Sequence, residues 1–184
     1  MSVIGRHALL WYAIALVVVV LDQWSKAWIS ANFIYGEPRV FTSFFNFTRL
    51  HNTGAAFSFL SEAGGWQRWF FSVIAFGVSA AIVVWIARLP ASQRWEAAAL
   101  ALVLGGAIGN LYDRIALGYV VDFIVFHYEH YYFPAFNVAD MAISTGAFML
   151  IVDMLFFKHE TEPDPESETQ PEPKREPKHE KSYD

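Results

Sequence analysis

Two aspartates bracket an almost wholly apolar, aromatic segment of the chain. Asp122 and Asp140 lie near the ends of "GYVVDFIVFHYEHYYFPAFNVAD", residues 118–140. Two carboxyl groups a few ångströms apart cannot both ionise comfortably, so they share one proton and their pKa values separate. The ionised member can take a proton from water while the neutral member donates to a carbonyl oxygen, which hydrolyses a peptide bond without a metal. Two aspartates alone do not specify this chemistry.

A purely structural role, as part of a helix cap, would also explain the presence of an acid at Asp140. Asn137 precedes an apolar run, and with Asn137 as N-cap, Asp140 falls at the third helical position, as in a capping box. The helix dipole stabilises an acid in the first turn. This favours the charged form of Asp140 and would leave Asp122, which has no such local explanation, as the proton-bearing acid of a pair.

Four long apolar runs determine the predicted fold class. They cover about residues 8–28, 69–87, 97–115 and 138–157 of the 184-residue chain, which is 55% hydrophobic. A hydrocarbon core about 30 Å thick needs roughly 20 helical residues, and every backbone group inside it must bond within its own segment. We therefore predict an all-α membrane protein with four transmembrane helices. The first run could instead be a cleaved signal peptide, but the polar residues after Leu21 fit such a peptide poorly.

The charges separate a neutral body from an acidic tail. Residues 1–159 hold nine acidic residues and nine Lys or Arg, whereas residues 160–184 hold nine acidic and four basic ones. The body, predicted to be one membrane domain, therefore has no basic surplus that would indicate nucleic acid binding. The Pro- and Glu-rich tail has little to bury, so we expect it to be disordered. The absence of cysteine excludes disulfides and thiol nucleophiles.

Basic residues predict the orientation in the membrane. The chain ends and the short loop between the second and third runs carry Arg6, Arg88, Arg94 and Lys158. Because Lys and Arg are enriched on the cytoplasmic side, both termini and the tail are expected there. Residues 29–68 and 116–137 are then extracytoplasmic.

The first of these extracytoplasmic segments, residues 29–68, is rich in Phe and Thr and partly alternating, which predicts short strands. We expect "FIVFHYEHYYF", residues 123–133, to lie along the membrane interface as an amphipathic helix.

Polar residues at the span ends are further candidates for a site. Asp22 and Lys26 are four residues apart on one helical face, and an internal ion pair is the simpler interpretation there. Asn52 lies in "HNTGAAFSF", where an Asn-x-Gly pattern ending at Gly54 by itself indicates only a turn.

The third run ends in "GGAIGNLYDR", residues 105–114. Gly105 and Gly109 have the small-xxx-small spacing that allows close helix packing. Asn110, Asp113 and Arg114 share a face beyond them, and Arg114 can fix a carboxylate through a bidentate pair. A polar helix end in the interface is the alternative, and for Asp113 and Arg114 a structural supporting role is favoured.

Metal-dependent hydrolysis finds little support in the sequence. The chain has no HExxH motif. His127, Glu129 and His130 lie in "HYEH", but their spacing does not bring two histidines to one helical face. We therefore expect neither a metal nor another cofactor, and interpret these residues as part of an aromatic belt.

Five segments in order resemble those of bacterial lipoprotein signal peptidase, also called signal peptidase II. They are "LDQWSK", "NTGAAFSF", "GGAIGNLYDR", "VVDFIVF" and "FNVAD", and the resemblance covers roughly residues 8–157. It implies a four-span aspartyl endopeptidase of the bacterial inner membrane, with its site at the periplasmic face. Such an enzyme cuts prolipoproteins just before a cysteine that carries diacylglycerol, and cyclic peptide antibiotics inhibit it.

The same resemblance implies roles for individual residues. Asp122 and Asp140 match the catalytic pair of the family. The positions that match its other motif residues, which serve the site or its support, are Asp22, Lys26, Asn52, Gly54, Asn110, Arg114 and Asn137. Asp113 joins this supporting group because of its position between Asn110 and Arg114.

Two other classes of protein remain as alternatives. A small transporter could also use intramembrane Asp, Asn and Arg, but four spans leave little room for alternating access. A membrane scaffold would explain the glycine packing but not acids at two span ends.

Overall fold

Four long helices and a small sheet form the part of the chain that the computed structural model describes, residues 6–54 and 65–156. The helices are α1 (Arg6–Asn32), α2 (Trp66–Arg88), α3 (Arg94–Ala116) and α4 (Val138–Phe156). The strands are β1 (Pro38–Thr42), β2 (Phe45–Asn52), β3 (Val120–Tyr128) and β4 (Tyr131–Tyr132). The predicted tail, residues 160–184, lies outside the described residues.

All four helices are long and apolar enough to cross a membrane, which confirms the predicted spans. Their bounds differ from the prediction by a few residues, most clearly where α1 continues to Asn32. Their outward faces carry large exposed apolar side chains such as Leu16, Phe76 and Phe148. In water such surfaces would be costly, whereas in lipid they face a solvent as apolar as themselves.

Helix α3 lies between α1 and α4, and its glycines allow the close approach. A Cβ atom added to Gly105 would lie 2.6 Å from the Val18 Cβ and 2.7 Å from the Ala15 carbonyl oxygen on α1. One added to Gly109 would lie 2.6 Å from the Asp22 Oδ2. Neither position has room for a side chain, which confirms the predicted packing role of this glycine pair.

The four strands form one sheet in the order β1-β2-β3-β4, with each neighbouring pair antiparallel. Strands β1 and β2 confirm the predicted β structure in residues 29–68. The amphipathic helix predicted for residues 123–133 is wrong, because this segment forms most of β3 and all of β4. Residues 120–123 are all buried, so burial alternates only beyond them, and it is the antiparallel pairing with β2 that identifies the segment as a strand.

Candidate active site

The strand β3 places Asp122 in the interior at the end of the helical bundle. Asp122 is 2% exposed. Its Cα is paired with that of Leu50 on β2. The chain enters β3 through Gly118, which has a φ of +88° that residues other than glycine rarely adopt. The turn between α3 and β3 therefore returns the chain to the bundle within a few residues and brings Asp122 beside the end of α3.

The first turn of α4 holds Asp140 by a reciprocal pair of capping bonds. The Asp140 backbone N–H donates to Asn137 Oδ1 at 2.9 Å, and the Asn137 backbone N–H donates to Asp140 Oδ2 at 3.1 Å. This is the predicted capping box, with Asn and Asp in its two positions. The cap fixes the direction of the carboxyl group but leaves its other oxygen available.

Two side-chain amides join the two carboxyl groups. Asn137 Nδ2 donates to Asp122 Oδ1 at 2.7 Å, although Asn137 also caps the helix of Asp140. Asn110 Nδ2 donates to Asp140 Oδ1 at 2.7 Å, and Asn137 Nδ2 lies 3.2 Å from Asn110 Oδ1. The structural and the functional interpretation of Asp140 are therefore compatible, because the capping residue is also the bridge to Asp122.

Asn52 reaches the same carboxyl group from the sheet. Its Nδ2 donates to Asp122 Oδ2 at 3.0 Å, while its Oδ1 accepts from the Gly54 backbone N–H at 2.8 Å. Gly54 has a φ of +92°, which agrees with the predicted turn. The Asn-x-Gly pattern predicted this turn but not the contact with Asp122.

A β-bulge in β2 gives Asn52 its direction. Phe47 is paired with Ile124 and Leu50 with Asp122, so β2 uses three residues where β3 uses two. Side chains alternate between faces along a strand, and one extra residue transfers all later side chains to the other face. Without the bulge Asn52 would point away from Asp122.

Burial and a neighbouring charge act together on Asp122. Burial is the larger effect and the charge of Asp140 adds to it, and together they raise the pKa of Asp122 from its usual 3.8 to about 6. Hydrogen bonds from Asn52 and Asn137, and the charge of Lys26, act in the opposite direction. The two carboxyl groups are thus close enough for one charge to disfavour the other.

A buried ion cluster lies behind the two carboxyl groups. Lys26 Nζ is 2.8 Å from Asp22 Oδ2, which confirms the predicted ion pair, and 3.0 Å from Asp113 Oδ2. It also donates to Asn110 Oδ1 at 2.9 Å. Arg114 donates to the Asn110 carbonyl oxygen at 3.3 Å, and among the described residues it makes no ion pair with a carboxylate.

A cavity of about 510 Å³ opens beside Asp140. Its polar wall includes Asn52, Ser144 and Thr145, and much of its remaining lining is aromatic or aliphatic. The residues that line it are Asn52, Phe133, Pro134, Ala135, Phe136, Asp140, Met141, Ser144 and Thr145. The cavity can therefore hold a largely apolar group next to the carboxyl of Asp140.

The chain is similar to known proteins along most of its length. Residues 14–156 match the family model of signal peptidase (SPase) II. The lipoprotein signal peptidase of Cellvibrio japonicus is 62% identical over 144 residues, which cover 78% of this chain and 85% of the relative. The lipoprotein signal peptidase of Pseudomonas putida is 55% identical over 163 residues, which cover 88% of this chain and 93% of the relative.

The chain belongs to the signal peptidase II family. This confirms the family predicted from the five sequence segments, and with it an aspartic peptidase. A solved bacterial membrane enzyme structure shares this fold with a TM-score of 0.69 at 33% identity, over 79% of this chain and 92% of that one.

Two further polar residues lie around this candidate site that the sequence analysis does not name. Gln23 Nε2 donates to Asp113 Oδ1 at 2.9 Å, and its three-residue spacing from Lys26 was a usable signal, since such residues share a helical face. Ser144 lies one helical turn beyond Asp140, on the same face. Both residues could be found by asking which polar side chains share a face with an acid inside a span.

The histidines of "HYEH" lie away from the two carboxyl groups. His127 stacks on Tyr132 with ring centroids 5.4 Å apart, at the outer end of the sheet. Within residues 6–54 and 65–156, no cluster of three or more His, Cys, Asp or Glu side chains could hold a metal ion. The chemistry of the described site is that of carboxyl groups and amides.

Proposed function

We propose that this chain removes signal peptides from prolipoproteins, cutting before a lipid-modified cysteine, with Asp122 and Asp140 as its catalytic pair. The observation that carries the proposal is the bridge through Asn137, which hydrogen-bonds both carboxyl groups. The similarity to relatives named lipoprotein signal peptidase supports the choice of substrate.

The chemistry follows from the different surroundings of the two acids. Asp122, with its raised pKa, carries the shared proton, and Asp140, at a helix N-terminus, is the carboxylate. Asp140 takes a proton from a water molecule as the water oxygen bonds to the scissile carbonyl carbon, and Asp122 donates its proton to the carbonyl oxygen. Asp140 then gives its proton to the amide nitrogen, and as the C–N bond breaks Asp122 takes back a hydroxyl proton, which releases a carboxylic acid and the amine of the lipidated cysteine and restores both acids.

Three asparagines fix the orientation of the two acids. Asn52 and Asn137 donate to the two oxygens of Asp122 and limit its rotation, although both bonds lower its pKa and so act against burial and the charge of Asp140. Asn110 donates to Asp140 and limits its rotation. The remaining residues predicted to support the site are Asp22, Lys26, Gly54, Asp113 and Arg114.

The membrane placement in this proposal follows from the basic residues and the aromatic sheet. Residues 1–159 form the membrane domain, both termini and the 160–184 tail are cytoplasmic, and the site lies at the periplasmic face of the inner membrane. The sheet exposes large rings, among them Phe41 at 73% and Tyr131 at 80%. Such rings suit the lipid headgroup region, which is where a lipidated cysteine reaches the enzyme.

The cavity beside Asp140 offers a binding place for part of a lipidated substrate, and an inhibitor could bind there in its stead. Phe133, Phe136 and Met141 offer an apolar wall to the modified cysteine or its neighbours. Cyclic peptide antibiotics that block the catalytic pair would occupy the same space and compete with substrate. Added inhibitor should raise the KM for the precursor and leave kcat unchanged.

Cleavage of one lipidated precursor tests the proposal. Purified Asp122→Asn and Asp140→Asn enzymes should release no signal peptide, while Glu37→Gln, which removes an exposed carboxylate outside the site, should cleave like the parent. Full cleavage by either folded Asn variant would contradict the catalytic pair.

A separate experiment tests the orientation in the membrane. A compartment-sensitive reporter fused near Asp184 should report the cytoplasm, and a periplasmic signal would overturn the orientation.

A further inference from the structure

The two aspartates of the proposed pair are held by their backbones in matching ways. The N–H of Ala139, the residue before Asp140, donates to Asp22 Oδ1 at 2.9 Å. The N–H of Val121, the residue before Asp122, donates to Asp113 Oδ2 at 3.2 Å. Each reactive acid therefore follows a peptide group that a buried carboxylate fixes in place.

One ammonium group joins these two carboxylates. Lys26 Nζ lies 2.8 Å from Asp22 and 3.0 Å from Asp113, and it donates to Asn110 at 2.9 Å. An ammonium has three N–H donors, so these contacts use all of them. Because Lys26 lies on α1 and its partners lie on α1 and α3, the ammonium fixes the spacing of the carboxylates that hold α4 and β3.

Gln23, on α1, also contacts both of these carboxylates. Its Nε2 lies 2.9 Å from Asp113 Oδ1 and 3.2 Å from Asp22 Oδ2, and 3.1 Å from the Gly109 carbonyl oxygen. Gln23 thus touches both carboxylates without contacting Asp122 or Asp140 in any described hydrogen bond. Unlike Asp22, Lys26 and Asp113, Gln23 carries no charge.

A general contribution to stability is a poor explanation of this cluster. Removing charges from water offsets much or all of the Coulomb attraction between them, and buried ion groups can often be replaced by apolar ones without loss of stability. What a fully bonded ion group does provide is fixed geometry. Peptide hydrolysis by two acids depends on that geometry, because a displacement of about 1 Å at a reacting group can reduce the rate by about 100-fold.

We propose that Asp22, Lys26, Asp113 and Gln23 are positioning residues, which set the separation between Asp122 and Asp140 by holding the backbones before them. The inference rests on the proposed catalytic pair and assigns its supporting residues a common action. It predicts losses in the chemical step and not in substrate binding, since none of the four lines the cavity beside Asp140.

Asp22→Asn is the sharpest perturbation. Asp22 Oδ1 accepts from Ala139 while Oδ2 accepts from Lys26 and Gln23, so both oxygens are in use. A side-chain amide has one oxygen acceptor and must lose one set of these bonds. We expect kcat per folded enzyme to fall about 100-fold, with KM within about twofold of the parent. Gln23→Leu keeps all the charges and should reduce kcat less, again at constant KM.

Ser72→Ala is the matched control, since Ser72 is a buried polar residue of α2 whose hydroxyl bonds the carbonyl of Arg68, outside the cluster. It should retain the parent kcat. An unchanged kcat in folded Asp22→Asn and Gln23→Leu enzymes, with only a lower melting temperature, would overturn the proposal. A raised KM at the parent kcat would also overturn it, because the cluster would then act on substrate binding.

A geometric readout separates this proposal from the proposed function. The chain contains no cysteine, so an Asp122→Cys/Asp140→Cys enzyme places its only thiols at the two acid positions. Addition of Asp22→Asn to it should slow bridging of the thiols by a short bifunctional thiol reagent several-fold, whereas added Ser72→Ala should not. An unchanged bridging rate contradicts the positioning role. If the parent chain cleaves no lipidated precursor, the proposed function fails, and this comparison still tests the positioning.

Discussion

Replacing Asp122 by Asn should inactivate the protein and at the same time stabilise it at neutral pH. Burial and the charge of Asp140 raise the pKa of Asp122 from 3.8 to about 6. A carboxyl group that binds its proton more tightly in the folded state destabilises that state once it ionises. The two pKa values imply that folding loses about 3 kcal/mol of stability as the pH rises from about 4 to above 6.

The Asn variant escapes this loss because its side chain does not ionise. It has its own penalty, since Asp122 accepts hydrogen bonds from Asn52 and Asn137 on different oxygens and an amide has only one acceptor. A lost hydrogen bond of this kind costs about 1 kcal/mol. The net expectation is a stabilisation of about 2 kcal/mol at pH near 7.5, and none, or a slight loss, at about pH 4.

Thermal unfolding of both proteins in detergent, followed by tryptophan fluorescence at the two pH values, measures this difference. Glu37→Gln serves as the control, because replacing an exposed carboxylate should change the stability by less than about 0.5 kcal/mol at either pH. An Asn variant that melts at or below the parent temperature near neutral pH would refute the reasoning. So would a stability difference that stays constant between the two pH values.

Three further outcomes follow from the same contacts. Because Asp122 must carry a proton in the proposed mechanism, kcat/KM should fall about tenfold per pH unit above about pH 6, and a pH–rate profile that stays flat to pH 8 would contradict this role. Asn52→Ala removes a hydrogen bond that lowers the pKa of Asp122, so the same profile should shift its alkaline limb to higher pH. Gly109→Ala places a Cβ 2.6 Å from Asp22 Oδ2 and should lose most activity in the precursor assay, whereas Gly77→Ala, with nothing within 4 Å, should keep it.

The helices could be predicted from the sequence because lipid imposes a simple rule. A span must be long, apolar and internally hydrogen-bonded, and all four runs satisfy it within a few residues. The capping box at Asn137 and the ion pair at Asp22 and Lys26 were also predictable, since each joins residues three or four apart. These local pairs account for part of the site.

The long-range contacts of the site could not be predicted in this way. Asn52 and Asp122 are separated by 70 residues, and the Ala139 N–H and Asp22 by 117. Neither contact has a local pattern, and the bulge that directs Asn52 is visible only once β2 and β3 are paired. The prediction of a helix for residues 123–133 was wrong for the same reason. An aromatic run forms a strand only when a neighbouring strand supplies its hydrogen bonds, and that neighbour is distant in sequence.

Asn137 shows why a structural explanation of Asp140 did not exclude a catalytic one. The residue lies just before α4 and caps it, and its backbone N–H holds one oxygen of Asp140. That bond leaves the other oxygen to Asn110, and the Asn137 side chain donates to Asp122. If Asn137 were a helix cap alone, a Ser cap would replace it with little loss, since both are good caps. If its amide also joins the two acids, Asn137→Ser should keep the fold and lose the cleavage, because a hydroxyl that accepts the cap bond is too short to reach Asp122 as well.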